Sequence, residues 1–175
     1  MKLKIIFLII ILLISISIIF SQENDNANKI TLYNELMKAE ISPINQKKAV
    51  KLKDIKNKVI VVLFLASWCG PCNIQAKEMK SIKTEFQKND VYFIGLNVDT
   101  LDRKDFVKFL RKNKFNYPMG FAEESLFKPL YQVSKRDAIP QTIIIQEGEI
   151  KEIYVGTGKT IERVKVKLKE IFNKN

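Results

Sequence analysis

The chain has no histidine and only two cysteines among its 175 residues. The first absence removes histidine general bases, Cys–His nucleophile pairs, imidazole-ligated metals and haem ligation. The second excludes a small scaffold stapled by several disulfides. Any disulfide joins those two cysteines to each other or to another molecule. There is no internal repeat. There is also no basic stripe interleaved with aromatics of the kind that binds nucleic acid, so no nucleic-acid partner is expected. What remains is ordinary globular material, 46% hydrophobic and 10% aromatic, long enough for one domain with a real core.

The N-terminus is a targeting segment. Lys2 and Lys4 form a basic start, and Ile5 to Phe20 is interrupted only by Ser15 and Ser17. The polar run Ser21-Gln22-Glu23-Asn24-Asp25-Asn26 follows. Residues 1–21 therefore read as a secretory signal or a short membrane anchor, and both readings stay open. No cysteine follows the run, so lipid attachment to an N-terminal cysteine is not available. Positive charge stays on the cytoplasmic side, which places the rest of the chain outside the cytoplasm. Removing residues 1–21, with Lys2 and Lys4, leaves 28 basic against 19 acidic side chains, a net of +9. Those charges are spread along the chain and read as a solvated surface, with association to an anionic membrane as the minority reading.

Residues 22–48 are polar and rich in Asn and Lys. One modest apolar cluster, Ile30, Leu32, Tyr33, Leu36 and Met37, gives at most a short helix in what reads as a spacer. The folded domain is expected over 49–175. Val59 to Ala66 is a continuous apolar, β-branched run, hence a buried central strand. Ile74, Met79, Ile82 and Phe86 keep helical spacing, predicting a helix to about Lys88. Val91 to Val98 is a second buried strand. Phe106, Val107, Phe109 and Leu110 mark a second helix, capped by Asp102 or Asp105. Tyr117 to Phe121 is a short edge strand at most, because Pro118 cannot extend a ladder. Leu126 to Val133 is a short helix containing Pro129. Thr142 to Ile145 and Ile150 to Val155 form an antiparallel hairpin around the tight turn Gln146-Glu147-Gly148-Glu149. Ile161, Val164, Leu168, Ile171 and Phe172 trace one face of a final helix. Strands separated by helices imply parallel pairing, and the hairpin adds antiparallel strands. The fold class is α/β, a central mixed sheet flanked by helices.

Trp68-Cys69-Gly70-Pro71-Cys72 carries the chemistry. It follows the first buried strand and opens a helix, where ligands of such sheets bind. The spacing brings both sulfurs within bonding reach on one turn. The helix N-terminus offers unpaired N–H groups and partial positive charge, which favour thiolate. Cys69, nearer the helix end, is the expected attacking group, and Cys72 the resolving one. Gly70 is expected to permit the close turn, Pro71 suits an early helical position, and Trp68 is an apolar contact for a partner. The bland alternatives are half a zinc site, which lacks further ligands here, and a merely structural pair. Ile139-Pro140-Gln141-Thr142 stands just before a strand. Its proline marks either a cis bond or an ordinary trans strand start.

Trp68 to Cys72, Ile139-Pro140 before Thr142 to Ile145, and Val155-Gly156 before the last helix together resemble the thioredoxin superfamily over about residues 49–172. The apolar N-terminus and a segment inserted before Pro140 resemble its extracytoplasmic TlpA/ResA branch. Leu52-Lys53-Asp54, Asn97-Val98-Asp99 and Tyr117-Pro118 fit the same branch. The resemblance implies that Cys69 and Cys72 are a redox pair and that no other cofactor or metal is needed. It implies that Ile139 and a cis Pro140 pack on the disulfide and bind substrate backbone, with Trp68 and Gly156 completing an apolar rim. It also implies a cysteine-containing exported protein as substrate, such as an apocytochrome c or a copper-site protein, and a membrane thiol–disulfide carrier as electron donor. The chain departs from the family at two positions that carry a buried acid elsewhere: here they are Leu63 and Gln75. A neutral amide can hydrogen-bond but cannot shuttle a proton, so water is expected to serve Cys72. Glu78, six residues along the helix from Cys72, is expected to point away. The reading is a disulfide reductase. A disulfide oxidase or isomerase, a thiol- or Cu(I)-binding module, and a membrane-tethered scaffold remain as alternatives.

Overall fold

The uninterrupted apolar run from Val59 has the length and the β-branched content of a strand with no solvent face. In the computed structural model, which describes residues 2–99 and 103–173, every residue of that strand is buried. The elements in chain order are α1 (Lys2–Lys38), β1 (Glu40–Ile41), β2 (Val50–Lys51), β3 (Val59–Leu65), α2 (Gly70–Glu85), β4 (Val91–Asn97), α3 (Arg103–Asn113), β5 (Met119–Phe121), α4 (Phe127–Ser134), β6 (Gln141–Gln146), β7 (Glu149–Val155) and α5 (Thr160–Asn173). The main sheet has the order β5-β4-β3-β6-β7. The β3–β4 and β4–β5 pairs are parallel, and the β3–β6 and β6–β7 pairs antiparallel. This is the mixed sheet expected from alternating strands and helices followed by a hairpin.

Alternation along β3 divides the core into two layers. Val59, Val61, Leu63 and Leu65 face α2, α3 and α5, against Ala76, Met79, Phe106, Val164 and Leu168. Ile60, Val62 and Phe64 face the other side, against Leu32 and Leu36 of α1 and Leu126 and Leu130 around α4. The hairpin turn is Glu147-Gly148, with φ of 53° and 80°. Two successive positive φ values match the twist of the flanking strands.

Residues 22–48 are not the spacer that their composition suggests. Leu32 and Leu36 are 0% exposed, and Ala39 and Ile41 are buried with them. The physical reason is their spacing. Leu32 and Leu36 share one stripe of α1, Ala39 follows at its end, and together they cover a sheet face that the eight-residue α4 cannot cover alone. After α1, residues 40–45 run along the outer side of β5. The Ile44 N–H donates to the Met119 carbonyl at 2.7 Å, and the Met119 N–H donates to Asn45 Oδ1 at 2.8 Å. Asn45 Nδ2 also donates to the Tyr117 carbonyl at 2.8 Å.

A Cβ added to Gly120 would lie 2.7 Å from Ile41 Cγ2 and 3.1 Å from the Ser42 carbonyl oxygen. Gly120→Ala is therefore expected to cost about 1–3 kcal/mol by overpacking. Urea unfolding of the two proteins side by side checks this, and an unchanged midpoint would show that residues 40–45 do not pack on β5.

Helix boundaries differ from the periodicity by a few residues. Helix α2 stops at Glu85, not Lys88, because the Asn89 N–H bonds back to Phe86 in a tight turn. Pro129 is accommodated in the first turn of α4, where its missing N–H would have had no partner. Of the two caps expected for α3, Asp102 lies outside the described residues. Asp105 sits within the first turn, where its charge faces the positive end of the helix. Lys108 beside it holds its carboxyl below the usual carboxylate range.

Candidate active site

β3 delivers Ala66 to Cys69 to the C-terminal end of the sheet, and α2 begins there. Cys69 is the N-cap of α2, with Pro71 in the first turn. Cys69 and Cys72 form a disulfide with Cα atoms 5.2 Å apart. Cys69 retains 6% exposure and Cys72 none, so an incoming partner reaches only the first sulfur. The Cys72 backbone N–H lies 3.2 Å from Cys69 Sγ. That N–H has no partner inside the helix, which makes it a fixed donor to negative charge on Cys69.

The Ile139–Pro140 bond is cis. The Ile139 carbonyl oxygen lies 4.0 Å from Cys69 Sγ. The Gly156 N–H donates to the Pro140 carbonyl at 2.8 Å, tying the end of β7 to this loop. Gly156 has φ of 87°, a conformation that favours glycine. Gln141, buried, closes the loop from the other side: its Nε2 donates to the carbonyls of Ala138 and Arg136 at 2.8 and 3.2 Å.

Trp68 is 67% exposed, and its Nε1 donates to Asp99 Oδ2 at 2.8 Å. The ring is thus an apolar surface held in one orientation. Asn97 Nδ2 in turn donates to the Asp99 carbonyl. Trp68 and Ile139 form one wall of a groove of about 310 Å³ whose other wall includes Leu130, Tyr131 and Arg136. Gly70 has ordinary helical backbone, and a Cβ there would meet nothing within 4 Å. The turn therefore does not require glycine, contrary to the expectation. Gly70, Pro71 and Pro140 lie beside the disulfide, outside the groove wall.

Gln75 is 0% exposed on the same face of α2 as Cys72. Its Nε2 donates to Thr142 Oγ1 at 2.7 Å, which links the cysteine helix to the strand after Pro140. Its Oε1 is buried without a partner. Glu78 is exposed, as its helical position implies, and Leu63 is buried in the apolar layer behind α2. Neither Leu63 nor Gln75 offers a titrating group to Cys72. Deeper in the same layer, Tyr117 Oη donates to the Ala76 carbonyl at 2.9 Å. Burial pushes this phenol well above its ordinary range, so it remains a neutral donor that braces α2.

Gln75→Glu would place a carboxyl in this buried position, and burial raises its pKa. The folded state then holds the proton more tightly than the unfolded state. Stability is expected to fall as pH rises from about 4.3 towards the raised folded pKa, by about 1.4 kcal/mol for each pH unit in that interval. Urea midpoints of the variant and the parent across pH 4–8 check this. Parallel curves would show that the new carboxyl is solvated.

Thr142 and Asp99, which the sequence shows only as parts of motifs, belong to the site, and so do Leu130, Tyr131 and Arg136, which it does not mark. A hydroxyl directly after Ile139-Pro140-Gln141 and an acid at the end of β4 are the signals that could have found the first two.

The AhpC/TSA family profile matches residues 27–153. Thiol-disulfide oxidoreductase ResA of Oceanobacillus iheyensis is 27% identical over 135 residues, which cover 75% of this chain and 67% of that protein. ResA of Bacillus subtilis is 27% identical over 112 residues, covering 63% of this chain and 60% of that protein. Among solved structures, StoA from Bacillus subtilis superposes with a TM-score of 0.57 at 21% identity, covering 73% of this chain and 93% of that one. A thiol:disulfide interchange protein of the thioredoxin family from Chlorobium tepidum superposes with a TM-score of 0.60 at 21% identity, covering 73% and 90%. A five-stranded mixed sheet, flanking helices and a paired Cys-x-x-Cys at a helix start define a thioredoxin-fold thiol–disulfide oxidoreductase. The chain belongs to the AhpC/TSA family.

Proposed function

We propose that this protein reduces disulfides of exported proteins outside the cytoplasm, by dithiol–disulfide exchange through Cys69 and Cys72. The observation that carries the reading is the position of Cys69: an N-cap sulfur, slightly exposed, 3.2 Å from a backbone N–H. In the reduced enzyme that N–H and the helix terminus stabilise the Cys69 thiolate. The thiolate attacks one sulfur of a substrate cystine, forming a mixed disulfide and releasing the other substrate sulfur as thiolate. Cys72, as thiolate, then attacks Cys69 Sγ. The Cys69–Cys72 disulfide forms, and the second substrate thiolate departs. The substrate has gained two electrons and the enzyme has lost two. A membrane thiol–disulfide carrier resets the pair by the same exchange run in the other direction.

Substrate backbone would lie along Ile139, with its flanking side chains over Trp68 and into the groove. Support for the extracytoplasmic site comes from α1, an N-terminal helix long and apolar enough to cross a membrane. Apocytochrome c or a copper-site protein is the substrate class that the resemblance favours.

Equilibration of the Cys69–Cys72 pair with glutathione tests the direction. A reducing potential near the roughly −270 mV of thioredoxin is expected. A value near the roughly −120 mV of a strong oxidant would instead make the protein a disulfide oxidase.

A further inference from the structure

We propose that α1 mounts the domain directly on the membrane surface, without slack, so that the loop at Lys135–Asp137 stands at the level of the lipid headgroups. This rests on the reading of residues 1–21 as a retained anchor. Helix α1 is continuous from Lys2 to Lys38 and contains neither glycine nor proline, the usual sources of a kink. Its described apolar side chains between Ile6 and Phe20 are exposed all round, Phe20 to 64% and Leu12 to 59%. A helix apolar on every side calls for an apolar surrounding such as lipid.

The same helix touches the domain almost at once. The Asp25 carboxylate pairs with Lys135 Nζ at 3.2 Å. Lys29 and Ile30 then lie beside Gly148 and Glu149, and Leu32 enters the core. Asp25 lies five positions beyond Phe20, about 7.5 Å along the helix. The headgroup layer on each side of a bilayer is about 5–7.5 Å thick. The first contact between anchor and domain therefore falls at the outer margin of the headgroups. The apolar run, Ile5 to Phe20, is about 24 Å long, shorter than the roughly 30 Å hydrocarbon core. That mismatch draws the flanking residues inwards.

Lys135 is the left-handed residue that ends α4, and Arg136 follows it into the groove wall. The groove beside the disulfide is thereby held near the lipid plane. Its partners are proteins that present a cystine or dithiol at the membrane surface. Lys135 is engaged by Asp25, and the exposed Arg136 and Asp137 after it offer one charge of each sign to the headgroups.

The test uses the full chain with Cys69→Ser and Cys72→Ser, reconstituted in vesicles of phosphatidylcholine with phosphatidylglycerol. A fluorophore is attached at Arg136→Cys in one protein and, on the opposite face, at Lys88→Cys in another. A quencher carried on the lipid headgroup is expected to quench the label at 136 several-fold more than the label at 88. A flexible Gly-Ser insert of about twelve residues between Gln22 and Glu23 should bring the two to the same level. Equal quenching without the insert would overturn the proposal, and so would a mature exported protein that begins after Phe20. Circular dichroism of each labelled protein confirms folding. Disulfide-exchange activity of the unsubstituted chain, with Cys69 and Cys72 intact, is measured separately in detergent, so failure of the mount and failure of the reductase reading are distinguishable.

Discussion

Cys72→Ser is expected to leave the protein covalently bound to its substrate. The geometry makes the two sulfurs unequal. Cys69 retains some exposure and lies beside Trp68 and the Ile139 carbonyl, whereas Cys72 is fully buried one turn into α2. Only Cys69 can meet a substrate cystine, and only Cys72 is placed to displace it afterwards. A serine hydroxyl at position 72 cannot attack the mixed disulfide at neutral pH, because the alkoxide is not populated. Turnover should fall to the uncatalysed rate, while a stable adduct accumulates at one molecule of substrate per chain. Cys69→Ser should also lose turnover, but without any adduct. Non-reducing electrophoresis followed by mass spectrometry of the adduct reads both results. An adduct formed through Cys72 in the Cys69→Ser protein would reverse the assignment. Because the adduct contains the physiological partner, the same experiment identifies the substrate.

The second large effect lies far from the cysteines. Leu36→Ala, in what composition marks as a spacer, is expected to destabilise the fold by about 2–5 kcal/mol. Leu36 is fully buried among Leu32, Ile41, Leu52 and the even-numbered residues of β3. Truncation removes both its transfer free energy and its share of a packed layer. Against a total stability of about 5–15 kcal/mol, that loss is a large fraction. Urea unfolding of the detergent-solubilised chain measures it directly. A chain beginning at Ala49 should fail to fold, because the face of Ile60, Val62 and Phe64 would be left partly bare. An unchanged midpoint for Leu36→Ala would return residues 22–48 to the status of a tether.

These two predictions mark what a reader of the sequence can and cannot see. β3, β4 and the final hairpin are legible because long apolar runs between turn residues have few other solutions. α5 is legible from its helical stripe. Cys69 and Cys72 stand out because their neighbours, Trp68, Gly70 and Pro71, make the pair specific. The packing of the second half of α1 is obscured by its own exposed side: over residues 22–38 polar side chains dominate the count, although Leu32 and Leu36 make the contact. β1 and β2 are two residues each, too short to show any period. The contacts that shape the site are long-range. Gln75 meets Thr142 across 67 positions, and Trp68 meets Asp99 across 31. Neither leaves a local pattern, and the orphaned Gln75 Oε1 leaves none either. The groove arises where α4 and the loop at 136–141 converge on Trp68, so it exists only once the sheet has formed.

The strip of chain along β5 bears on how this protein behaves when crowded. Ile44 and Asn45 saturate both outward backbone groups of Met119 and the carbonyl of Tyr117. A bare edge strand invites strand-to-strand growth between copies, the first step towards fibrils. Here that margin of the sheet is closed from within, by a side-chain amide that mimics a neighbouring strand. At the other margin of the five-stranded sheet, β7, Lys151 and Glu152 interrupt an apolar strand with charge. A concentrated solution of this protein thus meets, along β5, a margin already protected against polymerisation.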